Sequence, residues 1–261
     1  MHAPAPSAEL LTLVSIARAA GAEILRVYRG PIAASQKSDA TPVTEADTAA
    51  ERLILTHLAK QWPEIPVIAE ESHASGNIPE IGETFFLVDP LDGTKEFIAR
   101  NGQFTVNIAR IVSGVPVTGV IYAPALHEIY CGQSGQGAFA AKTDATTELR
   151  WTAISVDATS SNGLVAIASR SHRDAHTQRY LDTLNVSQVI GVGSSLKFCK
   201  LATGEAHIYP RFGRTMEWDT AAGQAILEAA GGHVRDVNGV RLTYGKSQAN
   251  FANPDFIASA T

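Results

Sequence analysis

Phe85-Phe86-Leu87-Val88-Asp89-Pro90-Leu91-Asp92-Gly93-Thr94 is the stretch on which the reading of this chain turns. Four consecutive apolar residues, two aromatic and one β-branched, have the composition of a buried strand. The strand is expected to end at Asp89, because Pro90 has no N–H to give to a ladder. Asp92-Gly93-Thr94 carries the residue types of a helix start, and that helix is expected to run through Phe97. Two carboxylates and a hydroxyl thus reach one strand end and one helix N-terminus. Strand ends are where α/β proteins place ligands, and helix N-termini favour phosphate through their free N–H groups and dipole.

Upstream, Ile68-Ala69-Glu70-Glu71-Ser72 reads as a strand ending in two carboxylates. Before it, a helix starts near Thr44, carries Ala50, Leu53, Ile54 and Leu58, and stops at Trp62-Pro63. Thr44 with Asp47 three residues on has the form of a capping box. A first helix capped by Ser7 ends near Gly30-Pro31. Downstream, residues 105–112, 115–122 and 128–131 read as strands, with Ser113-Gly114 as a tight turn. Residues 132–137 are glycine-rich but lack the order of a nucleotide loop, so they read as a hairpin connection. Residues 142–157 are polar and irregular, which places a boundary between an N-terminal α+β unit, 1–155, and a C-terminal α/β unit, 156–261. Residues 164–168 and 206–209 read as strands; 176–184, 195–202 and 219–230 read as helices. Asp219 would cap the last of these, and Ala221-Ala222-Gly223 would let it pack closely against a neighbour. Helices alternating with strands give a mixed, layered α/β fold.

The 261 residues are 45% apolar and 18% charged, with a formal charge of −5. An acidic chain without a basic stripe is a poor binder of nucleic-acid polymer. Two cysteines, Cys131 and Cys199, form no disulfide framework and match no zinc spacing. No run approaches the length of a transmembrane helix, and residues 1–7 show no basic segment followed by an apolar run. The expected location is the cytoplasm, with peripheral association on the inner membrane left open.

Several carboxylates within a few ångströms repel one another unless a cation joins them. An oxygen-only cluster without histidine or thiol favours Mg²⁺ over zinc. The plain alternative is that Asp92, Asp219 and Asp47 are ordinary helix caps. Gly191-Val-Gly-Ser-Ser-Leu-Lys197 places Ser194, Ser195 and Lys197 at another helix start that could hold an anion. Arg211 is a second cation candidate, and Ser169-Arg170-Ser171-His172 a third cluster. His57, His73, His127, His207 and His233 are scattered and are given no chemistry.

Leu87-Val-Asp-Pro-Leu-Asp-Gly-Thr-Lys-Glu-Phe97, joined to Glu-Glu-Ser upstream and Trp-Asp-Thr-Ala-Ala-Gly downstream, resembles the inositol monophosphatase superfamily of lithium-sensitive phosphatases. Within it, Arg100 to Ala109, Gly193 to Cys199 and Tyr209 to Gly213 resemble the bacterial 3′(2′),5′-bisphosphate nucleotidases, which serve sulfur metabolism. The resemblance runs from about Leu10 to the C-terminus. It implies an α-β-α-β-α sandwich and two or three Mg²⁺ ions. Glu70, Asp89 and the Leu91 carbonyl would hold one ion; Asp89, Asp92 and Asp219 a second. Asp47, Glu70 and Thr94 would orient and activate water. Gly93 and Thr94 N–H groups would hold the phosphate, and Lys95, Ser194, Ser195, Lys197 and Arg211 the remaining substrate. Lys95-Glu96 replaces the Thr-Asn of inositol phosphatases, which points away from an inositol phosphate. The implied substrate is 3′-phosphoadenosine 5′-phosphate or its sulfated precursor. Inositol or sugar phosphates are the nearest alternative, and a non-catalytic metal or nucleotide sensor a remote one.

Overall fold

The structure is a computed structural model and describes residues 5–36, 42–143, 149–159, 163–169 and 175–261. The first half contains α1 (Ala8–Tyr28), β1 (Ala34–Gln36), β2 (Pro42–Thr44), α2 (Glu45–Gln61), β3 (Val67–Ala69), α3 (Glu70–Ala74), β4 (Thr84–Asp92), α4 (Thr94–Ile98), β5 (Thr105–Val112), β6 (Val115–Ala123), β7 (Glu128–Gln133) and β8 (Gly137–Lys142). The second contains β9 (Thr152–Ile154), β10 (Leu164–Ser169), α5 (Ala175–Asp182), β11 (Val186–Val192), α6 (Leu196–Ala202), β12 (Ile208–Arg211), α7 (Glu217–Ala229), β13 (His233–Asp236) and β14 (Phe256–Ser259).

Seven strands, β3 to β9 in chain order, form one sheet, and five form a second in the order β11-β10-β12-β14-β13. In the larger sheet only β3 and β4 run parallel. The apolar run of β4 is continuous because both faces of that sheet are covered. Phe86 and Val88 face Leu10, Leu13, Ile54 and Leu58 of α1 and α2. Phe85 and Leu87 belong to the opposite core, shared with Phe198 of α6, Ile226 of α7 and Ile167, Tyr209 and Phe256 of the smaller sheet. Leu181 of α5 closes the outer side against Ala166 and Ile208. The layers are therefore α-β-α-β-α.

Helix α7 lies very close to the larger sheet. A Cβ at Gly119 would come 2.4 Å from the Ala222 carbonyl oxygen, and one at Gly132 2.8 Å from Ile226 Cα. A Cβ at Gly223 would overlap the Phe198 ring at 2.3 Å, so the small run in α7 does bring it against α6. Ser7 caps α1 by accepting from the Leu10 N–H, and Thr44 with Asp47 forms the capping box of α2.

Several sequence expectations are corrected. Strand β4 does not stop at Asp89; its ladder with β5 shifts between Asp89 and Asp92 and resumes at Asp92, so the missing N–H of Pro90 falls in the irregular step. Glu70 and Glu71 open α3 and do not end a strand. Helix α4 begins at Thr94, with Gly93 at φ 92° as its cap, so Asp92 is a strand residue. Asp219 is the third residue of α7, and Met216 occupies the cap position. Strand β9 lies in the stretch read as irregular, and β11, β13 and β14 were not anticipated. Arg170, Ser171 and His172 lie outside the described residues. Among the described residues, no helix is long and apolar enough to cross a membrane.

Candidate active site

Asp47 sits in the first turn of α2 and is 2% exposed. Its Oδ2 accepts from the Thr44 N–H at 2.8 Å and the Thr44 hydroxyl at 2.7 Å. Its Oδ1 accepts from the Thr94 hydroxyl at 3.1 Å. One carboxylate therefore caps a helix and also reaches the start of α4. One turn further along α2, buried Glu51 accepts from the Glu71 N–H (2.7 Å), the Ser72 N–H (2.8 Å) and the Ser72 hydroxyl (2.6 Å). Glu51 thus fastens the start of α3, where Glu70 stands. The sequence reading missed it, although its i+4 spacing from Asp47 places both on one helix face.

Asp89 is 1% exposed, and its Oδ1 accepts from the Leu91 N–H at 3.0 Å across the Pro90 step. Asp92 Oδ2 accepts from the Ser194 and Ser195 hydroxyls, each at 2.7 Å. The hydroxyls read as anion binders are thus engaged with a carboxylate. Asp219 Oδ2 accepts from the Met216 N–H at 2.7 Å, which fixes the side chain at the start of α7. Lys197 is buried; its Nζ donates to the Ser194 carbonyl at 2.5 Å and lies 5.5 Å from the centre of the Tyr209 ring. Arg211 Nη2 donates to the Arg214 carbonyl at 3.3 Å, while its buried Nε has no hydrogen-bond partner among the described residues.

These side chains line one cavity of about 310 Å³. Glu70, Asp89, Leu91, Asp92, Gly93, Thr94 and Lys95 enter from one side, and Ser194, Ser195, Lys197, Arg211 and Asp219 from the other. Asp47 joins it through Thr94. Glu96, read from sequence only as a departure from the inositol phosphatases, also lines it, as do Arg214 and Thr215, which were not named from sequence. Acidic groups gather toward Asp89; Lys197, Arg211 and Arg214 supply positive charge within the same cleft.

Burial pushes the Asp89 carboxyl well above its ordinary value, and the charges of Glu70, Asp92 and Asp219 push it further. Asp219 is raised by burial and then by Asp92 and Glu70. Lys197 is lowered by burial against the opposing pull of Asp92. Carboxylates held in this way are what a cation would neutralise. The lining contains no histidine or cysteine among the described residues, so the donors suit a hard ion. Among the described residues, no group of three or more histidine, cysteine, aspartate or glutamate side chains is arranged so that it could hold a metal ion. Mg²⁺ does not need such a group, because it keeps several waters and takes few protein ligands.

The model of the inositol monophosphatase family matches residues 7–260. The 3′(2′),5′-bisphosphate nucleotidase CysQ of Salmonella typhimurium is 45% identical over 243 residues, covering 92% of this chain and 95% of that one. The protein of the same name from Escherichia coli strain K12 is 43% identical over 246 residues, covering 94% and 96%. The crystal structure of CysQ from Bacteroides thetaiotaomicron superposes with a TM-score of 0.80 at 36% identity, covering 96% of each chain. An IMPase from Thermotoga maritima gives a TM-score of 0.80 at 25% identity, covering 97% and 92%. The chain belongs to the inositol monophosphatase family.

Proposed function

We propose that this chain is a Mg²⁺-dependent 3′(2′),5′-bisphosphate nucleotidase that hydrolyses the 3′-phosphate of 3′-phosphoadenosine 5′-phosphate, giving AMP and phosphate. The observation that carries this reading is the two-ended cavity. Carboxylates crowd one end, and Lys197 and Arg211, whose buried Nε has no hydrogen-bond partner among the described residues, stand in the same cleft. A monoester needs only the acidic end. A substrate with a second phosphate also gives the basic groups a partner. Relatives at 43–45% identity carry the bisphosphate nucleotidase name, which supports the same substrate class.

Glu70, Asp89, Asp92, Asp219 and the Leu91 carbonyl are the groups that would hold Mg²⁺. When bound, Mg²⁺ neutralises these carboxylates, acidifies water and offsets charge on the phosphoryl and leaving oxygens. Thr94 Oγ1 donates to Asp47, so its lone pairs are left to accept from the attacking water. The water proton passes through Thr94 toward Asp47 as the water oxygen forms its bond to phosphorus. Glu70 flanks the same water. The phosphorus–oxygen bond to the ribose breaks, and the ribose oxygen leaves with a proton from solvent. Gly93 and Thr94 N–H groups orient the phosphoryl oxygens. Lys95, Lys197 and Arg211 hold the nucleotide on its other side, where Ser194 and Ser195 shape the wall. Residues 1–155 and 156–261 act as two units, the second supplying Asp219, Lys197 and Arg211.

Phosphate release is to be measured from 3′-phosphoadenosine 5′-phosphate, inositol 1-phosphate and fructose 1,6-bisphosphate, with and without Mg²⁺. Mg²⁺-dependent preference for the nucleotide is expected. Preference for either other substrate would overturn the assignment of the basic end.

A further inference from the structure

Thr105-Val106-Asn107 on β5, which the mechanism leaves without a role, meets Gly193-Ser194-Ser195 before α6. The register of β4 and β5 sets Thr105 beside Asp92 and Asn107 beside Asp89. Two residues apart on a strand, they present their side chains to one face. Both are buried, at 0% and 1% exposure.

The Thr105 hydroxyl lies 2.5 Å from Ser194 Oγ and 2.9 Å from Asn107 Oδ1. Asn107 Nδ2 donates to Ser195 Oγ at 2.8 Å. Ser194 and Ser195 then pass their protons on to Asp92 Oδ2. The Asn107 amide gives this network its direction. Its N–H occupies a lone pair of Ser195, so the single Ser195 proton is left for the acceptors on its other side, shared between Asp92 Oδ2 at 2.7 Å and the Asp219 carbonyl at 2.8 Å. Because Ser194 gives its own proton to Asp92, the single Thr105 proton serves the short contact with Ser194 Oγ and the bond to Asn107 Oδ1 together. Ser194 stands at φ 55°, a conformation that residues other than glycine rarely adopt. Such strain persists only where the surroundings over-determine it, as at functional sites. Here the hydroxyl is held by Thr105 and Asp92, and the carbonyl by Lys197 Nζ.

We propose that Thr105 and Asn107 are positioning residues of the hydrolytic site. They lock the Ser194–Ser195 turn so that both hydroxyls clamp one oxygen of Asp92, leaving Oδ1 as the oxygen available to an ion. They touch neither substrate nor metal. The inference rests on the reading of Asp92 as a Mg²⁺ ligand, and it deepens that reading by naming what aims the ligand.

The test compares wild type, Thr105→Val and Thr105→Ser. Mg²⁺ binding is measured by calorimetry without substrate, alongside Tm without Mg²⁺ and kcat and KM for 3′-phosphoadenosine 5′-phosphate. The valine variant is expected to bind Mg²⁺ about tenfold to a hundredfold more weakly, as for lost outer partners of metal ligands. Its kcat at limiting Mg²⁺ should fall, its KM should stay unchanged, and serine should restore both binding and rate. Wild-type Mg²⁺ affinity in the valine variant overturns the inference, and so does a fall in Tm and kcat with Mg²⁺ affinity unmoved. If the valine variant does not fold, Thr105→Ala removes the same hydroxyl without setting a methyl against Ser194 and is judged by the same outcomes. A wild type that binds no Mg²⁺ removes Asp92 from the ligand set, and the inference falls with the reading beneath it.

Discussion

At the scale of single residues, Asp89 carries the sharpest conflict between stability and chemistry. Its carboxyl is 1% exposed and has three other acidic groups around it. A neutral amide of the same shape would relieve that repulsion. Asp89→Asn is therefore expected to raise Tm measured without Mg²⁺ and to lower Mg²⁺-saturated turnover more than about 100-fold, beyond what loss of an outer partner costs. Near-native turnover in the folded variant would remove Asp89 from the site. Lys197 is the opposite case, a buried cation facing Asp92 and Asp219 across the cleft. Loss of a charge-assisted bond to phosphate costs about 1.5–3 kcal/mol, or roughly 10- to 100-fold in affinity. Lys197→Ala should raise KM for the bisphosphate by about that factor, and for adenosine 3′-monophosphate much less. Equal rises in KM would show that Lys197 only supports the Ser194 carbonyl.

At the scale of elements, the site depends on short pieces held by buried carboxylates. Helix α3 is five residues long, too short to hold itself together, and Glu51 of α2 satisfies two of its backbone N–H groups and one hydroxyl. Glu51→Ala strands those donors at a cost of about 3 kcal/mol. The expected result is a fall in Tm of roughly 6–12 °C for a chain of this size, with lost Mg²⁺ affinity because Glu70 rides on the same turn. Thermal unfolding and Mg²⁺ titration of the variant check both; loss of stability with intact Mg²⁺ affinity would separate Glu70 from its anchor. Helix α2 thus supplies Asp47, which accepts from Thr94, and, one turn on, the anchor of a neighbouring element.

For the whole molecule, the decisive contact is α7 against the larger sheet. Asp219 enters the site only as far as α7 approaches β6 and β7, and that approach needs Gly119 and Gly132. A methyl at Gly119 would meet the Ala222 carbonyl at 2.4 Å, and backbone cannot swing aside as a side chain can. Gly119→Ala is expected to cost about 1–3 kcal/mol and to withdraw Asp219 from the cavity. Thermal unfolding together with Mg²⁺ titration reads both effects, and wild-type behaviour in both would show that the layers have slack. The same contact ties the two sheets through one shared core, so a change deep between layers reaches the site without touching it.

Local chemistry already written in the chain settled much of this. The Ser7 cap, the Thr44–Asp47 capping box, the β5–β6 hairpin at Ser113-Gly114 and the buried run before Asp89 were all legible, because each depends on residues only a few positions apart. The carboxylates and the hydroxyl at Thr94 were legible as chemistry for the same reason. Short strands such as β9 and β13 were not, because pairing partners elsewhere in the chain hold them. The end of β4 was misread because proline forbids a hydrogen bond only where one is due, and the shifted register leaves none due at Pro90. Ser194 and Ser195 read as free hydroxyls, yet tertiary packing sets Asp92 against them across 102 and 103 positions of sequence. Glu51, Thr105 and Asn107 gave no sign of their roles, since a hydrogen-bond partner is a fact of distance in space. The sequence by itself therefore determined which groups could do chemistry, and the tertiary structure decided which of them face one another.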